Sequence, residues 1–211
     1  MSWTRFVRMS AALGATCVLL AGCGESAPLS RADVEVALPD AAAMRGWDQS
    51  LEPSATSDKK AYRSALCSDE AARACDGVRY YGFSRYIHGD KQHFAHFHVL
   101  AYKNEASAEE GYAPLWKREE SALGDSAREM SLGDLGEARD ALFVDAVDLT
   151  GEVMAVAHIR VGASTLVGLF RSRGSENPLD ERTIRKLVST FVDRTRSVQE
   201  GEEPSAALRG L

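Results

Sequence analysis

Apolar residues are spaced differently along successive stretches of this chain, and each spacing predicts a different element. Met9 to Ala21 is apolar apart from Ser10 and Thr16. That run is too short to cross ~30 Å of hydrocarbon, which takes about 20 apolar residues. Residues 24–37 (GESAPLSRADVEVA) are small and polar and read as a flexible tether. Asp40 as N-cap and Gly46 as stop bracket a short helix; 48–60 reads as a loop, and a second short helix runs through the Cys67–Cys75 region. Val78–His88 and Gln92–Tyr102 alternate, are rich in aromatic and β-branched residues, and flank Gly89-Asp90, which predicts a hairpin. Ser107 and Glu110 form a capping box for a helix that presents Ala108, Tyr112, Leu115, Trp116 and Leu123 on one face. Pro114 predicts a bend or a restart in it.

Strands follow at Ala141–Leu149, Glu152–Val161 and Thr165–Arg173. Their turns, Thr150-Gly151 and Gly162-Ala163, are short enough to require antiparallel pairing. Asn177-Pro178 then opens a helix whose Ile184, Leu187, Val188, Phe191 and Val192 have the spacing of a one-sided core helix. Residues 197–211 read as a disordered tail. The fold class is therefore α+β: an antiparallel sheet of about five strands with flanking helices, in the order αα-ββ-α-βββ-α, as one domain over residues 38–196.

Leu20-Ala21-Gly22-Cys23 closes the first apolar run, which comes after Arg5 and Arg8. A basic start, a short apolar stretch and small residues before a cut describe a secretory signal. The four residues resemble the bacterial lipobox. The resemblance implies that 1–22 is a lipoprotein signal peptide and that the Cys23 thiol carries a diacylglycerol. The protein would then be lipid-anchored in the cell membrane on the extracytoplasmic side, with 23–37 as lipidated cysteine and tether. Two acyl chains hold a bilayer stably at ~0.8 kcal/mol per buried CH₂. An ordinary cleaved leader with an incidental Cys23 is the alternative. Cys17 leaves with the leader and Cys23 becomes a thioether, so Cys67 and Cys75 remain. In an exported chain they read as a disulfide, which closes a small loop and contributes about 2–3 kcal/mol. A pair of metal thiolates is the alternative, without CxxC spacing or a neighbouring histidine to support it.

The chain has a formal charge of −6. Loss of Arg5 and Arg8 with the leader leaves 23 basic against 31 acidic side chains, a net of −8. That balance argues against nucleic acid and against adsorption on anionic lipid, since both want clustered cations. No G-x-S-x-G, H-E-x-x-H, phosphate-binding loop or dinucleotide fingerprint occurs, so neither an enzyme nor a cofactor is expected. In the strand after Gly89, His96 and His98 point the same way, ~6.5–7 Å apart, while Ala95, Phe97, Val99 and Ala101 point to the core. Two imidazoles so placed can share Zn²⁺ or Cu²⁺ if a third ligand joins them, or titrate near pH 6. They are also ordinary residues for a half-solvated sheet face. Tyr81, Phe83, Phe94 and Trp116 are the candidates for lining a pocket for an apolar or aromatic small molecule.

Leu38-Pro39-Asp40 through Gly46-Trp47, the Cys67 and Cys75 pair, and Leu132-Gly133-Asp134-Leu135-Gly136-Glu137-Ala138 carry a further resemblance. The chain is similar to actinobacterial envelope lipoproteins, a group related to PknH-like extracellular sensor domains of receptor Ser/Thr kinases and to LpqN-type lipoproteins. The resemblance implies an antiparallel sheet with flanking helices, and binding of ligands or partners rather than catalysis. The expected function is a membrane-anchored, non-catalytic, ligand-binding or sensor-like module. A protein–protein adaptor in the cell envelope and a histidine-based metal-binding lipoprotein are the rivals.

Overall fold

The structure, a computed structural model, describes residues 27–67, 69–89, 92–147, 152–173 and 178–208. Residues 1–22, expected to be a signal peptide, and Cys23 lie outside them. One seven-stranded antiparallel sheet organises the chain, in the order β1-β2-β3-β7-β6-β5-β4. Its strands are β1 (Asp48–Thr56), β2 (Val78–His88), β3 (His93–Tyr102), β4 (Arg128–Glu129), β5 (Ala138–Val147), β6 (Glu152–Val161) and β7 (Ser164–Ser172). The β2–β3 hairpin turns through Gly89 at φ +67°. The β3–β7 pairing, from His93↔Ser172 to Ala101↔Ser164, joins the two halves of the sheet. Among the described residues four α-helices accompany it: α1 (Arg31–Ala37), α2 (Lys59–Ala65), α3 (Glu105–Leu123) and α4 (Glu181–Gln199).

The larger core lies between the sheet and α1 and α4. Phe97 is at its centre and fully buried. It meets Tyr86, Phe170 and Phe191 edge to face, at centroid distances of 6.2, 5.9 and 5.3 Å. The inward set of α4 is Ile184, Leu187, Val188, Phe191 and Val192, as the spacing predicts. Gly82 lets α1 approach β2, since a Cβ there would overlap Val34 Cγ1 and crowd Leu38. On the opposite face α3 and the disulfide loop cover a smaller core of Leu66, Val78, Tyr81, Leu100, Tyr102, Leu115 and Val167. Cys67 and Cys75 are disulfide-bonded, with Cα atoms 6.1 Å apart. A Cβ on Gly111 would overlap the Ala74 carbonyl, so glycine sets the close contact between α3 and that loop.

Several boundaries differ from the sequence expectation. The tether is shorter than 23–37, because α1 occupies Arg31–Ala37 and buries Val34 and Ala37. Ser30 and Asp33 cap it reciprocally, each side chain bonding the other's backbone N–H. The helix expected after Asp40 is a turn, with the Asp40 carboxylate accepting from the Ala43 N–H. The loop expected over 48–60 contains β1, an edge strand irregular on both sides of Leu51, where Pro53 is tolerated. With β4, the sheet has seven strands rather than about five. Helix α3 starts two residues before Ser107, on an Asn104 N-cap, and runs through Pro114. Asp180 caps α4, three residues after the expected Asn177. Residues 197–208 are not a loose tail: α4 continues to Gln199, and Leu208 is buried with its N–H donating to the Ala43 carbonyl.

Candidate functional site

The face under α3 carries the residues singled out from the sequence. Cross-strand register sets Phe83, His98, Val167, His158 and Asp140 in one row, and Arg85, His96 and Leu169 in the next. His98 is buried, and its Nδ1 lies 2.7 Å from the Tyr81 hydroxyl. The Tyr81 ring stacks on Phe83 at 6.0 Å and on His98 at 5.8 Å. Trp116 of α3 sits edge-on over His158 at 5.4 Å, and the Tyr112 hydroxyl donates to the His158 carbonyl at 2.9 Å.

Burial governs the protonation of these groups. It pushes the Tyr81 hydroxyl up to about 12. It holds His98 down at about 3, helped by neighbouring His96, and His158 at about 3, helped by Arg118 and His98. His96 is lowered to about 4 by burial and by the guanidiniums of Arg85 and Arg171. All three imidazoles are therefore neutral near pH 7. His98 Nε2 and both ring nitrogens of His158 have no hydrogen-bond partner among the described residues.

His96 and His98 do share a face, with ring centroids 6.4 Å apart. Among the described residues no three His, Cys, Asp or Glu side chains are grouped to hold a metal ion. The four aromatic candidates are not brought around one cavity. Tyr81 and Phe83 pack on the His98 side, and Phe94 lies under the Arg173 guanidinium at 5.6 Å. Trp116 lines a separate cavity of about 270 Å³ whose other walls include Glu120, Glu129 and Asp140.

A larger concavity, about 770 Å³, lies on the outer side of α4, across the sheet from the histidines. One wall is the outward stripe of α4, including Arg182, Arg185, Ser189, Asp193 and Ser197. The other is the returning segment 205–208, and Leu132 and Leu135 close the end. The returning segment is held by Arg194, which is 4% exposed. Its guanidinium donates to the Val36 carbonyl and the Asp40 carboxylate at 3.0 Å, and to the Pro204 and Ala206 carbonyls at 3.5 Å. Sequence reasoning missed this groove because its helical wall reads as an ordinary solvated face. Arginines and hydroxyls at i, i+3 and i+7 were the available signal.

No protein-family model matches the chain, and no curated protein does. Among solved structures it is similar to the crystal structure of the extracellular domain of PknH from Mycobacterium tuberculosis. The TM-score is 0.59 at 9% identity, over 82% of this chain and 99% of that one. The two share a fold. The expected PknH-like architecture is thus present, with the sheet order and helices described above. Among the described residues no helix is long and apolar enough to cross a membrane.

Proposed function

We propose that this protein is a non-catalytic, sensor-like binding module, tethered to the cell membrane through Cys23 on the extracytoplasmic side, and that the α4 groove is its ligand seat. The groove is the observation that carries the reading: about 770 Å³ is the size of a small-molecule site, and its walls are both charged and apolar. Its far wall is fixed by a buried arginine, so the seat is formed before any ligand arrives. Two further facts support the address. The remaining cysteine pair is oxidised, as exported proteins favour, and the fold is shared with a domain described as extracellular.

Two experiments test the halves separately. Cys23→Ala should abolish acyl labelling and release the chain from the membrane fraction or leave its leader uncut; unchanged labelling and partition would refute the anchor. For the seat, Ser189→Trp and Ala207→Trp fill the groove from opposite walls. Native mass spectrometry after incubation with a small-molecule extract of the cell envelope should show adducts on the parent chain and none on either variant. Adducts that persist on both folded variants would place the ligand elsewhere.

A further inference from the structure

We infer that the α4 groove takes an anionic polyol, a phosphorylated sugar or cyclitol, with its anion at Arg182 and Arg185 and its hydroxyls along Ser189, Asp193, Ser197 and Ser205. The inference rests on the groove being the ligand seat.

Charge distribution is the first support. In a chain of net −6, Arg182 and Arg185 project from adjacent turns of α4 into one groove. Neither has a carboxylate in salt-bridge contact among the described residues; Arg185 reaches only the Ser131 carbonyl, at 3.4 Å. Nearby Arg128 is different, since it pairs with both Asp145 and Glu181. Arg182 and Arg185 also line an adjoining groove of about 500 Å³, so they stand on the ridge between two concavities. Guanidiniums present planar pairs of donors that match phosphate and carboxylate oxygens.

The polar side chains farther along the helix are the second support. Asp193 is eight residues beyond Arg185, about 12 Å at 1.5 Å per residue. Between and beyond them the groove is lined by Lys186 and by the hydroxyls of Ser189, Thr190, Ser197 and Ser205, and Asp193 already accepts from the Ser189 hydroxyl at 3.3 Å. Serine hydroxyls and a carboxylate are partners for ligand hydroxyls, and the facing Ala206, Ala207 and Leu208 leave an apolar wall for the C–H face of a sugar or cyclitol ring, whereas an acyl chain would leave the charged and hydroxylated wall of α4 unpaired. An inorganic anion would leave most of the 770 Å³ unfilled. The occupant consequently has one anionic end and a hydroxylated body.

Such a headgroup occurs free or on a lipid, and the two arms of the experiment separate these sources. The full chain carrying Cys23→Ala serves throughout, so that no acyl chain of its own contributes. Calorimetry with myo-inositol 1-phosphate is the soluble arm, with inorganic phosphate and myo-inositol alongside. Flotation with phosphatidylcholine vesicles, with and without phosphatidylinositol, is the lipid arm. Binding of inositol phosphate above both of its fragments should weaken about tenfold or more in Arg182→Gln and in Arg185→Gln, and stay unchanged in Lys117→Gln, an equal charge change on α3. That pattern in the soluble arm supports a free ligand; the same pattern confined to phosphatidylinositol vesicles supports a lipid headgroup. No binding in either arm, inorganic phosphate binding as tightly as inositol phosphate, or an equal loss in Lys117→Gln overturns the ligand class. Adducts lost in Ala207→Trp would then keep the groove as a seat for other chemistry, and their absence from the parent chain would remove both readings.

Discussion

On its α4 side the sheet sets Phe97 and Phe170 with Phe191 of the helix in edge-to-face contact, whereas on its α3 side it buries His98 and His158, which are incompletely hydrogen-bonded. A buried ring that needs no partner contributes its whole area to stability. A buried imidazole loses its hydration, and each unpartnered nitrogen costs about 1–3 kcal/mol. The larger α4 core therefore buries its rings without that cost, and the α3 face is where the fold tolerates it. The most disruptive test is to empty the first face and to make the second apolar without emptying it. Phe97→Ala should cost about 3–5 kcal/mol in denaturant unfolding, while His158→Leu at pH 7 should be close to neutral or stabilising. Equal losses would end the distinction.

Arg194 sharpens the comparison because it is the one buried cation on the favourable face, among the described residues, and it is held on several sides. Arg194→Ala should cost about 2–3 kcal/mol, the range of charge-assisted hydrogen bonds. It should also raise hydrogen exchange at Leu208, whose N–H donates to the Ala43 carbonyl. A variant that loses stability while Leu208 stays protected would break the link between this side chain and the groove wall. On the opposite face, Cys67→Ser should cost about 2 kcal/mol, through freedom regained by the unfolded chain. Its effect should vanish when the parent is measured under reducing conditions.

How far each region was legible in the sequence tracks the same division. The inward set of α4 and the alternation of β3 were readable because many residues repeat one period. Helix α1 was not, since only Val34 and Ala37 of its seven residues face inward and Pro28 precedes it. Strand β1 was hidden by Pro53 and by its register shifts, which break alternation. His96 and His98 look identical in sequence; the difference is that α3 and Tyr81 enclose one and leave the other at the margin. The groove was the least legible feature. Its second wall depends on contacts from Arg194 and Ala43 to a returning segment, and such long-range contacts leave no local pattern.

The acid response provides the finest test. His98 and His158 have folded pKa values of about 3, against an ordinary histidine value of 6.5. Below 6.5 the unfolded chain takes up protons that the folded chain refuses, so stability present at neutral pH is lost as pH falls, and the loss flattens near 3. Each such histidine contributes a slope of about 1.4 kcal/mol per pH unit in that window. His96, at about 4, adds to the slope over the upper part of it. Carboxylates begin to titrate at the lower end, so the comparison of parent and variant belongs between pH 6 and 5. There His158→Leu should remove about 1.4 kcal/mol per pH unit from the dependence of unfolding free energy on pH. Phe170→Leu, on the other face, should lower stability by the same amount at both values. A His158→Leu slope equal to the parent's would mean that the α3 face opens to water before the imidazole titrates, and the two faces would then differ in rigidity rather than in the cost of burial.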